Sequence, residues 1–117
     1  MTTQEVAKRL VELNRANDTE TIFGELYSKD AVSVENWGPE PMVYTGLLAI
    51  QEKATQWYED VVEIHSVVCS EPLVSDSSFA VTFAMDITYK SRGREAMTEL
   101  AVYTVKEGKV VREEFQA

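Results

Sequence analysis

The sequence predicts an α+β fold: a cone-shaped, curved antiparallel sheet with three N-terminal helices packed on its concave side. Two observations support this prediction. Apolar residues recur at helical spacing in three segments of the first half, and in the second half they alternate with a period of two. When helices are followed in the chain by hairpin-connected strands, the strands form an antiparallel sheet and the helices pack on one of its faces. A curved sheet covered in this way has the shape of a cone, and the open end of the cone is a natural pocket. We expect one domain over residues 1–117.

The three helices are predicted from their caps and apolar faces. Thr2 and Glu5 have the spacing of a capping box, which starts a first helix that ends near residues 14–17. Asp18 is the predicted cap of a second, shorter helix. Thr45 is the predicted cap of a third helix, which follows a Pro-rich turn.

Five segments are predicted as strands: residues 32–35, 62–68, 79–89, 96–105 and 110–115. The alternation is clearest in residues 79–89, where odd positions are bulky and apolar and even positions are small or polar. The segments SRGR and KEGK are predicted as turns between the last three strands. The bulky face of the sheet is therefore expected to line the cone.

Charge and composition exclude several classes of partner. The chain carries 20 acidic residues against 11 Lys and Arg, and this formal net charge of -9 would repel nucleic acids and anionic lipids. No apolar run approaches the roughly 20 residues that a membrane helix needs. The polar N-terminus does not resemble a secretory signal, and a single cysteine, Cys69, fits a reducing compartment. We expect a cytoplasmic protein with neither nucleic acid nor membrane as partner.

No motif indicates a metal or a cofactor, and we expect neither. The single histidine, His65, has no second ligand at the spacing of a metal site, and we expect it on the outer face of the sheet or at an interface. Cys69 has no paired His motif that would activate it as a nucleophile. The sequence also lacks a Gly-rich phosphate loop.

Three segments carry a resemblance to a known family: NRANDTETIFGELYSKDAVSVEN, YTGLLAIQEKATQWYED and KEGKVVREEF. They are similar to the helix–helix–strand opening, the third helix and the closing hairpin of the nuclear transport factor 2-like superfamily. The SnoaL-like and ketosteroid isomerase-like members are the most similar. The resemblance covers nearly the whole chain and implies the cone fold. These motifs are degenerate, so they indicate fold more strongly than activity.

The residues that steroid isomerases need are missing at the matching positions. Those enzymes use a carboxylate base and an oxyanion hole made by a Tyr and a protonated Asp. The resemblance places the base on Asn36, whose amide cannot take up a proton at neutral pH. It places the Tyr near Leu10 and the Asp near Ala101, and neither side chain has a donor. We therefore expect no steroid isomerase chemistry.

Strand parity, matched to the inward face of the family, selects candidate site residues. The inward candidates are Phe83, Met85, Tyr103 and Phe115 for ligand contact and Glu99 and Glu113 for acid/base chemistry. An apolar cavity raises the pKa of a carboxyl group, which suits it to exchange protons near neutrality. The alternative is a register shifted by one residue, which leaves either Glu solvated at the rim.

The corner after the first strand supplies two further candidates for ligand contact. Asn36 can donate and accept hydrogen bonds, so it could orient a ligand, or it could be only a turn residue. Trp37 could cover the mouth of the cavity, whereas Trp57 is expected in the core. Tyr27 is one of several tyrosines whose hydroxyl group could enter the cavity.

Two functions remain open, beside a third possibility of a pure interaction module, which predicts a collapsed cone with no cavity. The first is a SnoaL-like pocket protein that binds a small apolar molecule and lacks steroid isomerase chemistry. The alternative is an isomerase, cyclase or lyase that uses Glu113 or Glu99 as acid/base, with Asn36 orienting the ligand. The resemblance also implies a homodimer, because the family commonly pairs through the outer face of the sheet. The small, Thr-rich even positions of residues 79–89 are compatible with such a contact.

Overall fold

Three helices pack against one face of a seven-stranded sheet, which confirms the predicted α+β fold. The computed structural model describes residues 1–117. The helices are α1 (Thr3–Arg15), α2 (Thr19–Thr21) and α3 (Leu47–Asp60), and α2 continues into a π-helical turn, Ile22–Leu26. The strands are β1 (Tyr27–Asn36), β2 (Met42–Thr45), β3 (Val61–Cys69), β4 (Leu73–Val74), β5 (Ser78–Tyr89), β6 (Gly93–Lys106) and β7 (Lys109–Gln116).

The sheet is open, and its strand order is β2-β1-β7-β6-β5-β3, with β4 paired to β5. All neighbours are antiparallel except β1 and β7, which run parallel. The expected antiparallel sheet is therefore mixed at one pair, because the last strand returns to lie beside the first. The short strands β2 and β4 were not predicted, since neither carries enough alternating residues to give a pattern.

The core lies between α1 and the concave face of the sheet. The predicted capping box starts α1: Thr2 Oγ1 accepts from the Glu5 backbone N–H at 3.1 Å, and Glu5 Oε1 accepts from the Thr2 N–H at 2.9 Å. Leu10 of α1 is fully buried in one cluster with Phe79 and Val81 of β5. Burial of each such side chain stabilises the fold by about 1.5–3 kcal/mol.

The prediction that Thr45 caps α3 is wrong. Gly46 occupies the cap position, and no side chain there bonds the first turn of the helix. Gly46 has φ +92 and ψ 150, and its N–H donates to the Ala31 carbonyl of β1 at 2.8 Å. This backbone conformation is essentially restricted to glycine, so a tight link between β2 and α3 determines the start of the helix.

No helix of the structure is long and apolar enough to cross a membrane.

Candidate functional site

The concave face of the sheet and helices α1 and α3 enclose an open cavity of about 1160 Å³. Hydrophobic residues make up 18 of the 30 that line it, so its walls are mainly apolar. Nine of the lining residues are aromatic: Phe23, Tyr27, Trp37, Trp57, Tyr58, Phe83, Tyr89, Tyr103 and Phe115. A large apolar pocket with a few polar groups is the usual form of a small-molecule site.

A buried charged network forms one wall of the cavity. Glu113 of β7 is only 4% exposed, and its carboxylate accepts hydrogen bonds from the Tyr27 hydroxyl and, at 2.6 Å, from Ser33 Oγ. The Lys53 ammonium group lies 3.3 Å from the same carboxylate, 3.0 Å from Glu35 Oε2 and 2.7 Å from Ser33 Oγ. Both oxygens of Glu113 are therefore occupied by protein donors.

Local structure explains how this network assembles. Ser33 and Glu35 are alternate residues of β1, so both side chains lie on the same face of the sheet. Lys53 lies one turn after the buried Ile50 on α3, so it shares the face of the helix that meets the sheet. The ammonium group also lies 4.9 Å from the centre of the Phe115 ring, within range of a cation–π contact.

Glu99 differs from the other acids of the cavity. It lies on β6 opposite Phe83 of β5, it is half-buried, and no protein group bonds or pairs with its carboxylate. Burial in the apolar wall raises the pKa of Glu99 to about 7, and the negative charge of Glu35 adds to this effect while Lys53 opposes it. The Glu99 carboxyl group is therefore free to exchange a proton near neutral pH.

Tyr103 supplies a second free polar group. Its ring stacks on Phe79 with 4.8 Å between centres, and the residue is only 3% exposed. Its hydroxyl group has no hydrogen-bond partner in the protein. Every fully buried side-chain N or O atom of the protein has such a partner, so the Tyr103 hydroxyl is not fully buried and reaches the surface of the cavity. Burial and the nearby charge of Glu113 raise the pKa of Tyr103 well above its ordinary value, so the hydroxyl remains a hydrogen-bond donor.

Most of the candidate site residues line this cavity. They are Trp37, Phe83, Met85, Glu99, Tyr103, Glu113 and Phe115. Trp37 is 43% exposed, so its ring lies at the rim of the cavity. The geometry brings these residues together, but their roles in binding or catalysis stay predictions.

Asn36 lies outside the cavity, contrary to the expected placement. Its amide donates to Glu114 Oε1 at 3.1 Å and to the Phe115 carbonyl at 3.3 Å. The reason is strand alternation: Glu35 faces the cavity, so its neighbour Asn36 faces the other side of the sheet.

Sequence reasoning missed Lys53 and Ser33 as members of the site, and it favoured Asn36 over its neighbour Glu35 as the residue that faces the cavity. The helical spacing of Ile50, Lys53, Ala54 and Trp57 was a usable signal, because a lysine inside an apolar stripe indicates a paired charge. Trp57, expected in the core, instead lines the cavity, where its ring meets Tyr89 edge-on with 6.1 Å between centres.

Neither of the two other reactive side chains, His65 and Cys69, forms a hydrogen bond with Glu99. His65 is on the outer face of β3, where its ring nitrogens contact Thr88 Oγ1 at 2.7 Å and Glu63 Oε2 at 2.9 Å. Cys69 is buried, and burial raises the pKa of its thiol. No group of three or more His, Cys, Asp or Glu side chains is arranged to hold a metal ion.

Three solved structures place this geometry among known proteins. A Mesorhizobium loti protein, provisionally named a SnoaL-like polyketide cyclase and also a carbohydrate phosphatase, is 33% identical, with TM-score 0.93 and 100% of both chains covered. A Sinorhizobium meliloti protein named as a polyketide cyclase is 19% identical, with TM-score 0.70 over 96% of this chain and 94% of that one. An NTF2-like protein of unknown function from Burkholderia pseudomallei is 13% identical, with TM-score 0.78 over 97% and 88%.

The similarity to the Sinorhizobium meliloti and Burkholderia pseudomallei structures concerns the fold alone. A comparison with curated proteins finds no match. The sequence model of the SnoaL-like domain matches residues 1–116, nearly the whole chain. On this match, and on the Mesorhizobium loti structure, the chain belongs to the SnoaL-like family and has its NTF2-like cone fold.

Proposed function

We propose that the protein binds a small, mainly apolar molecule in the cavity and lacks steroid isomerase chemistry. The observation that carries this proposal is the cavity itself, which is large, open and walled by nine aromatic side chains. The loss of steroid isomerase chemistry is supported at three positions. Leu10 and Ala101 are buried without a donor group, and Asn36 faces away from the cavity.

A fluorescent dye tests the binding proposal. Nile red, which is neutral and apolar, is expected to gain fluorescence in the presence of the protein. Ala54→Trp fills the cavity from α3 and is expected to weaken dye binding at least about tenfold, a loss of about 1.4 kcal/mol. Thr55→Trp is the matched control, because Thr55 is exposed on the same helix and does not line the cavity. Equal binding by both variants would count against the cavity as the site.

Acid/base catalysis is the second candidate function, and the free carboxyl group of Glu99 favours it. A pKa of about 7 lets this group take up and return a proton under neutral conditions. The Tyr103 hydroxyl is available on the same strand to donate to a carbonyl oxygen. Glu113 is the weaker choice as acid/base, because Tyr27, Ser33 and Lys53 already occupy its oxygens. The exchange of a hydrogen on carbon next to a carbonyl group is the simplest reaction of this kind.

Deuterium exchange tests the second candidate. The protein is expected to accelerate the exchange of the α-hydrogens of 2-tetralone in D2O, followed by proton NMR. Glu99→Gln should reduce the acceleration by at least about 100-fold, the usual contribution of a positioned base. Glu63→Gln on the outer face is the charge-matched control. Exchange that persists in Glu99→Gln would exclude Glu99 as the base.

We also propose that two copies pair through the outer face of the sheet, defined here as Val68, Thr82, Ala84, Thr98 and Leu100. These residues are neighbours across β3, β5 and β6, because Val68 is paired with Ala84 and Ala84 with Thr98. Val68 is 62% exposed and Leu100 is 39% exposed, with small residues between them. Such a half-apolar patch of mostly small side chains is suited to a self-complementary contact.

A further inference from the structure

The positive charges around the cavity are already engaged by protein acids. Lys53 lies between Glu35 and Glu113, at 3.0 and 3.3 Å. The guanidinium groups of Arg15 and Arg92 pair with Glu71 and Glu95, each at 2.9 Å. An anionic ligand would therefore find no unpaired cation in the wall.

The negative charges exceed the positive ones in the same wall. Five carboxylates and three cationic side chains line the cavity. Glu35 and Glu113 share the single charge of Lys53, and Glu99 has no partner at all. Low-dielectric walls focus such an excess, so the cavity attracts cations and repels anions. The whole chain adds to this effect with its formal net charge of -9.

The surroundings of Glu99 match the chemistry of a protonated amine. An unpaired carboxylate in an apolar wall is costly, and a cationic ligand that pairs with it removes part of this cost. Phe83 is opposite Glu99 across the strand pair, and the cavity walls are rich in aromatic rings, whose faces attract cations.

The Tyr103 hydroxyl independently points to a ligand. It belongs to a side chain that is only 3% exposed, it has no protein partner, and it reaches the cavity. Tyr103 lies four residues after Glu99 on the same face of β6, so their Cα atoms are about 13 Å apart at the usual strand rise. A single ligand of modest length can therefore contact both side chains.

We propose that the ligand carries a protonated amine on a mainly apolar skeleton, with the Glu99 carboxylate as its counter-ion and the Tyr103 hydroxyl as donor to a neutral oxygen. This inference rests on the proposed binding function. It gives Glu99 the role of a charge partner, whereas acid/base catalysis would require a neutral carbonyl compound beside it.

Three ligands of one shape test the inference: 3-phenoxypropylamine, 3-phenoxypropan-1-ol and 3-phenoxypropanoate. Each is titrated against Nile red bound to the wild-type protein at pH 8, where Glu99 is ionised. The amine is expected to compete at a concentration at least about tenfold lower than the alcohol, and the carboxylate at a higher one, as expected for a desolvated ion pair with aromatic contact.

Variants distinguish an effect of the Glu99 charge on binding from an effect on folding. In Glu99→Gln the amine should lose most of its preference over the alcohol, whereas the charge-matched Glu63→Gln should keep the tenfold preference. A full tenfold preference in Glu99→Gln would contradict Glu99 as the counter-ion. Tyr103→Phe should weaken the amine and the alcohol by the same factor, because both carry the ether oxygen. If Glu99→Gln did not fold, the ratio of the competing concentrations of amine and alcohol, measured on the wild-type protein, would still test the inference of an amine ligand.

The outcomes distinguish this inference from the binding proposal. If Nile red binds but the amine and the alcohol compete equally, the inference of an amine ligand is overturned, while the proposal of an apolar binding pocket stands. Stronger competition by the carboxylate would overturn the charge argument outright. A protein that does not bind Nile red would contradict the binding proposal and, with it, the amine inference that rests on it.

Discussion

Glu113 is the most constrained residue of the site, because its carboxylate is buried and bonded by three side chains from β1 and α3. A charge in this position is stabilised only by its partners, and Lys53 depends on it in turn. The contacts of Glu113 indicate a residue that positions Lys53 and Tyr27, while the Glu99 carboxylate has no protein partner.

We expect Glu113→Gln to lower the free energy of unfolding by about 2–3 kcal/mol, since Lys53 retains only Glu35 as its counter-charge. The measurement is urea denaturation at pH 7. Glu114→Gln is the control, because Glu114 lies next along β7 on the outer face, 3.6 Å from Arg112, and its loss should cost less than about 1 kcal/mol. Similar stabilities for the two variants would contradict this account of Glu113.

The pKa of Glu99 leads to a pH-dependent stability. Its folded value of about 7 lies above the ordinary value of 4.5. As the pH rises from 4.5 to 7, the unfolded chain loses the Glu99 proton before the folded protein does, so this residue progressively favours unfolding. Glu35, Lys53 and Glu113 are the charged groups that act on it.

Glu99→Gln should therefore be more stable relative to the wild-type protein at pH 8 than at pH 5. The midpoints of urea unfolding for both proteins at both pH values provide the measurement. A stability difference between the two proteins that stays constant from pH 5 to pH 8 would show that the folded environment leaves the titration of Glu99 unchanged.

At the scale of elements, the link between β2 and α3 sets the position of Lys53. Gly46 allows the chain to turn sharply and to bond β1 before the helix begins. The sequence indicated a helix start at this point, but it favoured Thr45 as the cap. The distinction depends on a backbone dihedral angle that composition does not reveal.

Gly46→Ala should destabilise the protein by about 1–3 kcal/mol, because a side chain must adopt a conformation that is essentially restricted to glycine. Thr45→Ala should change the stability by no more than about 0.5 kcal/mol, since Thr45 is exposed and forms no cap. Thermal unfolding of the two variants compares them directly. A larger loss in Thr45→Ala than in Gly46→Ala would restore Thr45 as the cap.

At the scale of the whole molecule, the concave face of the sheet holds the cavity, whereas the convex face carries the exposed side chains of Val68 and Leu100. The outer face defined above contains no unpaired charge near its centre, where Thr82 is paired with Leu100. Assembly there would leave the mouth of the cavity, with Trp37 at its rim, open to ligands.

We expect light scattering after size exclusion to give the mass of a dimer for the wild-type protein. Leu100→Arg should give a monomer with an unchanged circular dichroism spectrum, because an unpaired charge in the centre of an interface is strongly unfavourable. Thr55→Arg on the exposed side of α3 should remain a dimer. A monomeric wild-type protein, or a dimeric Leu100→Arg, would rule out this interface.

The sequence by itself determined the order of the helices and long strands and which side chains of β5, β6 and β7 share a face. Strand alternation is a local property, so the parity of Phe83, Glu99 and Glu113 can be read from neighbouring residues. Helix caps are equally local where the cap is a side chain, as at Thr2.

Only the tertiary structure decided which acid is paired and which is free. Lys53 and Glu113 are 60 residues apart in the chain, and they meet because β7 returns to lie parallel to β1 beneath α3. Glu99 lies on the neighbouring strand, beyond the contacts of that lysine. Such pairing depends on strand order and helix position, which arise from the packing of the whole core and from no single segment.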